Sequence, residues 1–550
     1  PLATDTFWGV YLGQSVDIGT PSDDVVDTVH IKDDAIDSAQ IASGAVDDAH
    51  LATGITASKL TGALPAISGA NLTNLPAGGA TSINGLSDAI ATSGDGGASI
   101  GLGTDAVGNT QNYKFNIGLG YRALRNVTSG TNNVGIGNEP LKTLTTGSKN
   151  IGIGYSLGKL TTASGNVGIG YGTLKEATTG YDNVAIGLDT LDALTTGYDN
   201  IAIGGYTASS MTTAQHNTAV GSGVMFACTT GSQNTAIGRL AMYSNTTANY
   251  NVAVGASALQ ANTTGTNNVA IGRQTMDANT TASNNTAVGY SALGANTTGA
   301  ENTALGANAL DANTTGADSL ALGFNALTTN TTGGSNVATG HQSLQNNTTG
   351  SSNVAVGRNA MQANTTASNN TGIGYKALEA NTTGNANTAV GALALDANTT
   401  GVELTAVGKS ALSASTGSYN TAMGSGAMTT TTSGTHNSAF GRIALSLNTT
   451  GANNVAVGSR ALYANTTASN NTAVGVSALT ANTTGTGNIA MGHYTLQSNT
   501  TGGYNTAMGY NPMANNTTGS NNVAIGREAM VANTTGVSNV AVGYHALYSN

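Results

Sequence analysis

Apolar and polar residues alternate in short runs that return at a fixed interval along most of the chain. The copy that opens at Asn268 reads NVAIGRQTMDANTTASN, and copies at Asn285 and Asn302 follow at a spacing of seventeen residues. We number each copy from its opening residue, position 0, to position 16. Positions 1 and 3 are mostly apolar or Thr, position 4 is Gly, position 8 is usually Leu or Met, and positions 11 to 14 are usually Asn-Thr-Thr-Gly. Self-similarity at a fixed period indicates a repeat architecture.

The alternation at positions 1 and 3 has the period of two that is typical of a β-strand. The Gly and Asn residues between the runs predict tight corners. One unit cannot bury a core alone, but stacked coils can, with equivalent residues about 4.8 Å apart. We therefore expect an all-β fold, a repeat β-solenoid in the form of a parallel β-roll, with a narrow interior of Val, Ile, Leu and Ala. About 27 coils would give a rod on the order of 130 Å long.

Two irregularities locate the corners of the coil. Pro140 and Pro512 both fall at position 7, and proline cannot donate to a strand ladder, so position 7 is expected at a bend. The copies that open at Asn150 and Leu404 are sixteen residues long. The missing residue lies between positions 5 and 7 in the first copy and after position 8 in the second. Both segments are expected to be corners, because deletions are tolerated there better than in strands.

The chain before the array divides into three segments. Residues 1–21 hold the only tryptophan and predict either a small packing cap or a segment for attachment to a larger assembly. Residues 22–60 place apolar residues at a spacing of five, which fits neither a helix nor a lone strand, so we expect three chains wrapped into an intertwined shaft. Its paired aspartates predict a solvated face, with calcium binding as the alternative. Residues 61–98 predict a Gly-, Ala- and Ser-rich junction, and residues 99–550 form the array.

Composition narrows the classes of function. Charged residues make up 8% of the chain and the net charge is −10, which gives no basic surface for nucleic acid and no polybasic patch for a membrane. No apolar run approaches the eighteen residues of a membrane span, so we expect no membrane insertion. The single cysteine, Cys228, cannot form an intrachain disulfide. The first residues do not resemble a secretory signal peptide, and since the array stops at position 11 we expect the native chain to continue or to abut another part.

No set of side chains predicts catalysis, so we expect no enzyme activity, no cofactor and no metal site. Gly118 and Gly120 lack the third glycine of a dinucleotide-binding motif. Gly408-Lys409-Ser410 resembles the end of a P-loop, but Glu403 stands where that motif needs glycine. The histidines, for example His216, His341 and His493, lack metal-ligand spacing.

The corners and the variable positions are the remaining candidates for contact with other molecules. Asn279-Thr280-Thr281 matches an N-glycosylation sequon, but its regular recurrence favours a polar corner whose stacked Asn side chains hydrogen-bond between coils. Glycosylation and an ice-binding face of Thr are the alternatives. Charged and aromatic residues, such as Arg273, Asp277, Tyr290 and Lys409, concentrate at positions 5, 6, 9 and 10, where we expect them to point outward and to supply any glycan contact.

The strings NNVAIG at 267–272 and NTAVG with a following AL at 285–293 resemble the head repeats of trimeric autotransporter adhesins, which are trimers of left-handed parallel β-rolls. The seventeen-residue form with Asn-Thr-Thr-Gly, and DDAHLATGITASKLTGALPAISGANLTNLP at 47–76, resemble phage tail-fibre proteins. The resemblance implies a fibrous homotrimer in the virion tail, a rigid spacer and adhesin. Its N-terminus would join the phage baseplate or tail, and its partner would be a host surface glycan or protein. The alternative is a secreted bacterial extracellular filament or trimeric adhesin at the cell surface.

Overall fold

A computed structural model of the chain describes residues 89–94, 97–107 and 115–549, with side chains from residue 99. The predicted attachment segment 1–21, the predicted shaft 22–60 and residues 61–88 of the predicted junction lie outside the described residues. The described residues belong to one compact unit, Ala80–Asn550, and their regular structure consists of 28 strands. The strands are β1 (Ala89–Gly94), β2 (Gly97–Leu102), β3 (Ile117–Leu119), β4 (Val134–Ile136), β5 (Ile151–Tyr155), β6 (Val167–Tyr171), β7 (Val184–Ile186), β8 (Ile201–Ile203), β9 (Thr218–Val220), β10 (Thr235–Ile237), β11 (Val252–Val254), β12 (Val269–Ile271), β13 (Thr286–Val288), β14 (Thr303–Leu305), β15 (Leu320–Leu322), β16 (Val337–Thr339), β17 (Val354–Val356), β18 (Thr371–Ile373), β19 (Thr388–Val390), β20 (Thr405–Val407), β21 (Thr421–Met423), β22 (Ser438–Phe440), β23 (Val455–Val457), β24 (Thr472–Val474), β25 (Ile489–Met491), β26 (Thr506–Met508), β27 (Val523–Ile525) and β28 (Val540–Val542).

The strands form one continuous ladder. From β2 to β28, each strand pairs in parallel with the next one in the chain, and the register joins equivalent positions of neighbouring coils, as Ala270 of β12 pairs with Ala287 of β13. The prediction of an all-β parallel solenoid with seventeen-residue coils is therefore confirmed. The ladder begins with a feature that the sequence did not predict. Strand β1, in the predicted junction, forms an antiparallel hairpin with β2, in which Ala89 pairs with Leu102.

Each short strand buries its small middle residue and turns the two larger residues outward. In β13, Ala287 has no exposed surface, whereas Thr286 is exposed and Val288 is half-buried. The residue at position 2 is buried in every strand from β3 to β28, including the longer strands β5 and β6. The prediction that Val and Ile fill the interior is therefore wrong. The interior has room for little more than a methyl group at position 2: a Cβ added to Gly135 of β4 would lie 3.0 Å from the carbonyl oxygen of Ala123.

The interior is filled from positions 2, 7 and 8 of each coil. In the coil 285–301, Ala287, Ala292 and Leu293 have no exposed surface. Leu293 adopts a left-handed backbone conformation with a φ of 56°, and so do the residues at positions 6 and 16, Ser291 and Glu301. Non-glycine residues seldom adopt this conformation, and bulky ones least of all. Its recurrence in coil after coil shows that the stacking of neighbouring coils determines the backbone, and it brings the large side chain of position 8 inward.

The predicted corners are confirmed by the hydrogen bonds around them. The N–H of position 7 is not used between coils: that of Ala292 donates to the carbonyl of Gly289 in its own coil at 3.4 Å. Pro140 and Pro512 therefore remove no bond from the ladder. The two deletions also spare the paired strand positions. In the short coil that opens at Asn150, β5 is five residues long and pairs in register with the five residues of β6.

Candidate contact surfaces

Two ladders of buried asparagine run through the coils, at positions 0 and 11. The Nδ2 of Asn285 donates to the carbonyl of Gly299 at 3.0 Å, and its backbone N–H donates to Oδ1 of Asn268 at 3.0 Å. From position 11, Nδ2 of Asn296 donates to the same Gly299 carbonyl and to Oδ1 of Asn279, both at 2.9 Å. The predicted stacking of the corner asparagines is confirmed, whereas the position-0 ladder was not predicted. Asn279 has no exposed surface, so a glycan cannot be attached to it in the folded chain.

The corner at position 11 changes chemistry along the chain. In the first described coils it is apolar, and from Asn245 onward it is mostly asparagine. Cys228 stands at the boundary, fully buried, and its Sγ accepts a weak hydrogen bond from Nδ2 of Asn245 at 3.7 Å. Burial raises the pKa of the Cys228 thiol to about 11. The cysteine is therefore a structural residue, because a buried protonated thiol is a poor nucleophile and a poor metal ligand. The apolar members are Val127, Leu144, Leu160, Ala177, Leu194 and Met211.

The threonines of the corners belong to no strand. At position 12 the hydroxyl is used between coils, as Oγ1 of Thr297 donates to the carbonyl of Thr314 at 3.0 Å. At position 13 the side chain is exposed, as in Thr298. These threonines do not form the flat strand face that an ice-binding surface requires, and half of their hydroxyls are occupied by the solenoid itself.

The outward-facing residues of the strands form an apolar surface, which we call the outer strand face: positions 1 and 3 of β3 to β28. Position 3 is apolar in every one of these strands except β16, where it is Thr339. Ile271 is 40% exposed and Leu305 is 48% exposed. Twelve of the 26 position-3 residues are exposed and the others are half-buried. With roughly 40 Å² uncovered per side chain on average, the array exposes on the order of 1,000 Å² of largely apolar surface. Monomeric proteins rarely expose more than a few hundred Å² in one patch.

A second surface, which we call the position-5 row, lies just beyond the strands. From the coil of Arg239 to that of Tyr544, the row consists mainly of aromatic and basic residues and contains no carboxylate. Neighbouring members contact one another: the guanidinium of Arg273 lies 5.8 Å from the ring centre of Tyr290, and the rings of Phe324 and His341 stack at 5.4 Å. The aromatic and basic members are Arg239, Arg273, Tyr290, Phe324, His341, Arg358, Tyr375, Lys409, Arg442, His493, Tyr510, Arg527 and Tyr544.

The predicted outward positions divide into two groups. Arg273, Tyr290 and Lys409 are exposed members of the position-5 row, as predicted. Asp277, at position 9, is half-buried, and desolvation raises the pKa of its carboxyl group. The prediction that position 9 decorates the outside is therefore correct only in part, because the Asp277 side chain is partly removed from solvent.

The motif-like strings do not assemble a catalytic site. Gly118 is the buried middle residue of β3, and Gly408 follows the end of β20 where the chain enters a turn and not a helix. His216 lies 3.5 Å from a carboxylate oxygen of Asp199. His341 and His493 each stack on an aromatic ring of a neighbouring coil, and the two histidines lie in coils that are far apart in the chain. Within the described ranges, no three His, Cys, Asp or Glu residues are grouped so that they could hold a metal ion.

A cleft opens at the short coil that begins at Asn150. Position 6 is missing there and Gly158 stands at position 9, so the two side chains that fill this space in other coils are absent. Ser156 lines the cleft, and its buried Oγ has no hydrogen-bond partner among the described residues. At the edge, Lys142 and Glu139 form an ion pair at 2.7 Å, which lowers the pKa of the Glu139 carboxyl. The one-residue deletion therefore leaves a gap in the side-chain packing.

Across the part of the chain that the structure covers, no helix has the length and apolar character needed to cross a membrane. A comparison with models of known protein families gives no match, and a comparison with curated proteins gives none either.

Proposed function

We propose that the chain is the structural fibre of a phage tail, a homotrimeric, rigid spacer and adhesin that binds the host cell surface. The observation that carries this proposal is the unbroken parallel ladder from β2 to β28. Each coil is bonded to the next through its strand and its turns, most coils also through the position-0 asparagines, and most coils from Asn245 onward through a second asparagine ladder. Such a stack has no hinge, which suits a spacer, and the outward surfaces rather than an internal site must supply its contacts. The role is therefore non-catalytic.

Self-association is supported by the outer strand face. Its apolar area, on the order of 1,000 Å², exceeds the about 800 Å² per partner that a stable protein–protein interface buries. A second and a third copy of the chain would cover this face by placing the same rows against one another, as a closed symmetric assembly requires. Three is the number that the resemblance to trimeric adhesin heads implies, and it is also the number that we expect for the intertwined shaft over residues 22–60.

Labelling of introduced cysteines tests the buried face. In the full-length chain, a polar maleimide should modify Leu305→Cys slowly, since position 3 of β14 lies on the outer strand face and would be covered in the assembly, although it is 48% exposed in the single chain. It should modify Thr298→Cys quickly, since that corner is exposed. The native Cys228 is buried and gives a low background. Equal labelling rates at the two introduced cysteines would show that the outer strand face is open and would overturn this interface.

The virion role rests on the resemblance to phage tail-fibre proteins at 47–76 and in the seventeen-residue repeat. Immunogold electron microscopy with an antibody to residues 22–60 tests it on purified phage-like particles and on cells. Label at the base of tail-borne fibres supports the tail fibre and identifies the N-terminus as the attachment end. Label confined to filaments on cells overturns it in favour of the alternative, a secreted bacterial filament or trimeric adhesin.

A further inference from the structure

The basic residues of the chain are confined to one line over most of the array. Between residues 200 and 549 there are eight Lys and Arg residues. Six of them lie in the position-5 row, and the other two, Lys376 and Arg460, lie at position 6 directly beside it. The carboxylates of the same region occupy positions 6, 9 and 16 and never position 5. A chain with a net charge of −10 thus presents one face that carries positive charge.

Most of the cations in this row form no ion pair with the described residues. Among its cations, only Arg527 has a carboxylate of the described residues within ion-pair distance, Glu528 at 3.6 Å. All six cations are exposed. Two of them lie beside aromatic rings: Arg273 is 5.8 Å from the ring centre of Tyr290, and Arg527 is 5.7 Å from that of Tyr510. Solvent-exposed rings are costly in a monomer, and half of the side chain of Tyr510 remains accessible. Rings and cationic groups on the same row form a surface with both apolar faces and anion-binding groups.

We propose that the position-5 row binds a linear, sparsely charged anionic polysaccharide, laid along the stack of coils. This inference rests on the proposed role as an extracellular fibre and specifies the class of glycan that it contacts. Sugar rings would pack their C–H faces on the tyrosine rings, and carboxylate or sulfate groups would accept hydrogen bonds from Arg and Lys. The coil spacing of about 4.8 Å presents these groups as a regular track along the array.

Charge density favours a polysaccharide over a nucleic acid. Six cations along the nineteen coils from Arg239 to Tyr544 give one positive charge about every 15 Å. A nucleic-acid strand carries one phosphate per about 3.4 Å, so most of its charges would face a protein of net negative charge without a partner. The same cations argue against a contact between copies of the chain through this row, because three identical rows of positive charge would repel one another.

The test compares polymers of different charge on the full-length protein, by biolayer interferometry at low and at physiological salt. The probes are hyaluronan, which carries one carboxylate in each disaccharide, uncharged dextran, and single-stranded DNA. We expect hyaluronan to bind and to weaken with salt, dextran to bind at least about 10-fold more weakly, and DNA to bind more weakly than hyaluronan. Absence of hyaluronan binding, or tighter binding of DNA with the same residue dependence, overturns the proposal.

The array itself offers matched variants. Serine and alanine occupy position 5 in other coils, for example Ser425 and Ala392, so the row can be altered without a new backbone. Arg273→Ser, Arg358→Ser and Arg442→Ser combined should lower the affinity for hyaluronan at least about 10-fold and flatten its salt dependence. The control combines Tyr250→Ala and Tyr504→Ala, which remove exposed rings at position 16, outside the row. It should bind hyaluronan as the wild type does.

If both variants lose affinity for hyaluronan equally, or if neither does, the row is not the binding surface. Electron micrographs of both variants distinguish this failure from a failure of the proposed fibre. If the wild type forms fibres but no variant affects hyaluronan binding, the inference about the row is wrong and the fibre role stands. If the wild type forms no fibres, the proposed function itself is wrong.

Discussion

The close stacking of the coils at position 4 can be tested with two neighbouring glycines that differ in backbone conformation and in surroundings. Gly204 has a φ of 132°, and a Cβ added to it would lie 2.6 Å from the carbonyl carbon of Gly221 in the next coil and 2.9 Å from Oγ1 of Thr207. Gly205, the next residue, has an ordinary φ, and a Cβ there would meet no atom within 4 Å. Gly204→Ala and Gly205→Ala therefore add the same methyl group to a closed and to an open position.

The structure allows the size of the effect to be worked out. An alanine at the φ of Gly204 costs about 1–3 kcal/mol in backbone strain, and forcing its methyl group against the next coil costs about 1–3 kcal/mol more. The two terms sum to about 2–6 kcal/mol. A value of about 3 kcal/mol, in the lower half of this range, corresponds to an increase in local opening of about 100-fold. Gly205→Ala should change opening by less than about 2-fold, since surface changes away from such features are nearly neutral.

Hydrogen–deuterium exchange of the full-length protein, read from peptides that cover residues 201–221, measures this opening coil by coil. The amide of Gly221, which donates to the carbonyl of Ile203 at 2.8 Å, should exchange about 100-fold faster in Gly204→Ala. Peptides of distant coils should be unchanged in both variants, because each coil contacts only its neighbours. If both variants exchange alike, the position-4 backbones are not stacked as described.

The other predictions concern the interior and the short coil. Asn296→Ala removes a donor and an acceptor from the position-11 ladder and should lower local stability by about 1–3 kcal/mol. Exchange at this coil measures the change, and the exposed Thr298→Ala is the control; equal effects would contradict the ladder. Cys228 should resist iodoacetamide at pH 8 until the chain is unfolded, because its folded pKa is about 11 against 9.0 when exposed. Ionisation then favours the unfolded chain, so stability should fall as the pH rises from about 9 to 11 in the wild type and not in Cys228→Asn; an identical alkaline loss in both would refute this. Insertion of one serine between Tyr155 and Ser156 restores a seventeen-residue coil and should slow exchange at 150–171, whereas faster exchange there would show that the cleft is not a packing gap.

The seventeen-residue period of the sequence is sufficient to predict the solenoid and the length of its coils, because each repeat packs against a neighbour of nearly the same sequence. Position 7 was located by Pro140 and Pro512, since proline marks where the ladder needs no donor. The sequence does not show which side of the strand faces inward. The alternation at positions 1 and 3 is the same whether Val288 or its neighbour Ala287 is buried, and the usual preference for buried Val and Ile gives the wrong side. The interior at position 2 has room for only about one methyl group, so Ala287 is buried and Val288 faces outward.

The buried position-0 asparagines were also missed, because buried polar residues are uncommon unless every donor and acceptor is bonded. The signal was their recurrence: an Asn at the same position of coil after coil can bond to its own equivalents. The position-5 row was predicted as outward decoration, but its lack of carboxylates becomes visible only when residues seventeen apart are aligned on one line. Individual residues such as Arg273 and Lys409 carry no such signal on their own.

The proposal that the outer strand face holds copies of the chain together is tested most directly by the mass of the full-length protein in solution. Sedimentation equilibrium at micromolar concentration should give three times the chain mass of 54.2 kDa, with no smaller species on dilution. A particle of 54.2 kDa at every concentration would contradict the account, since the apolar face would then be exposed to water along the whole array.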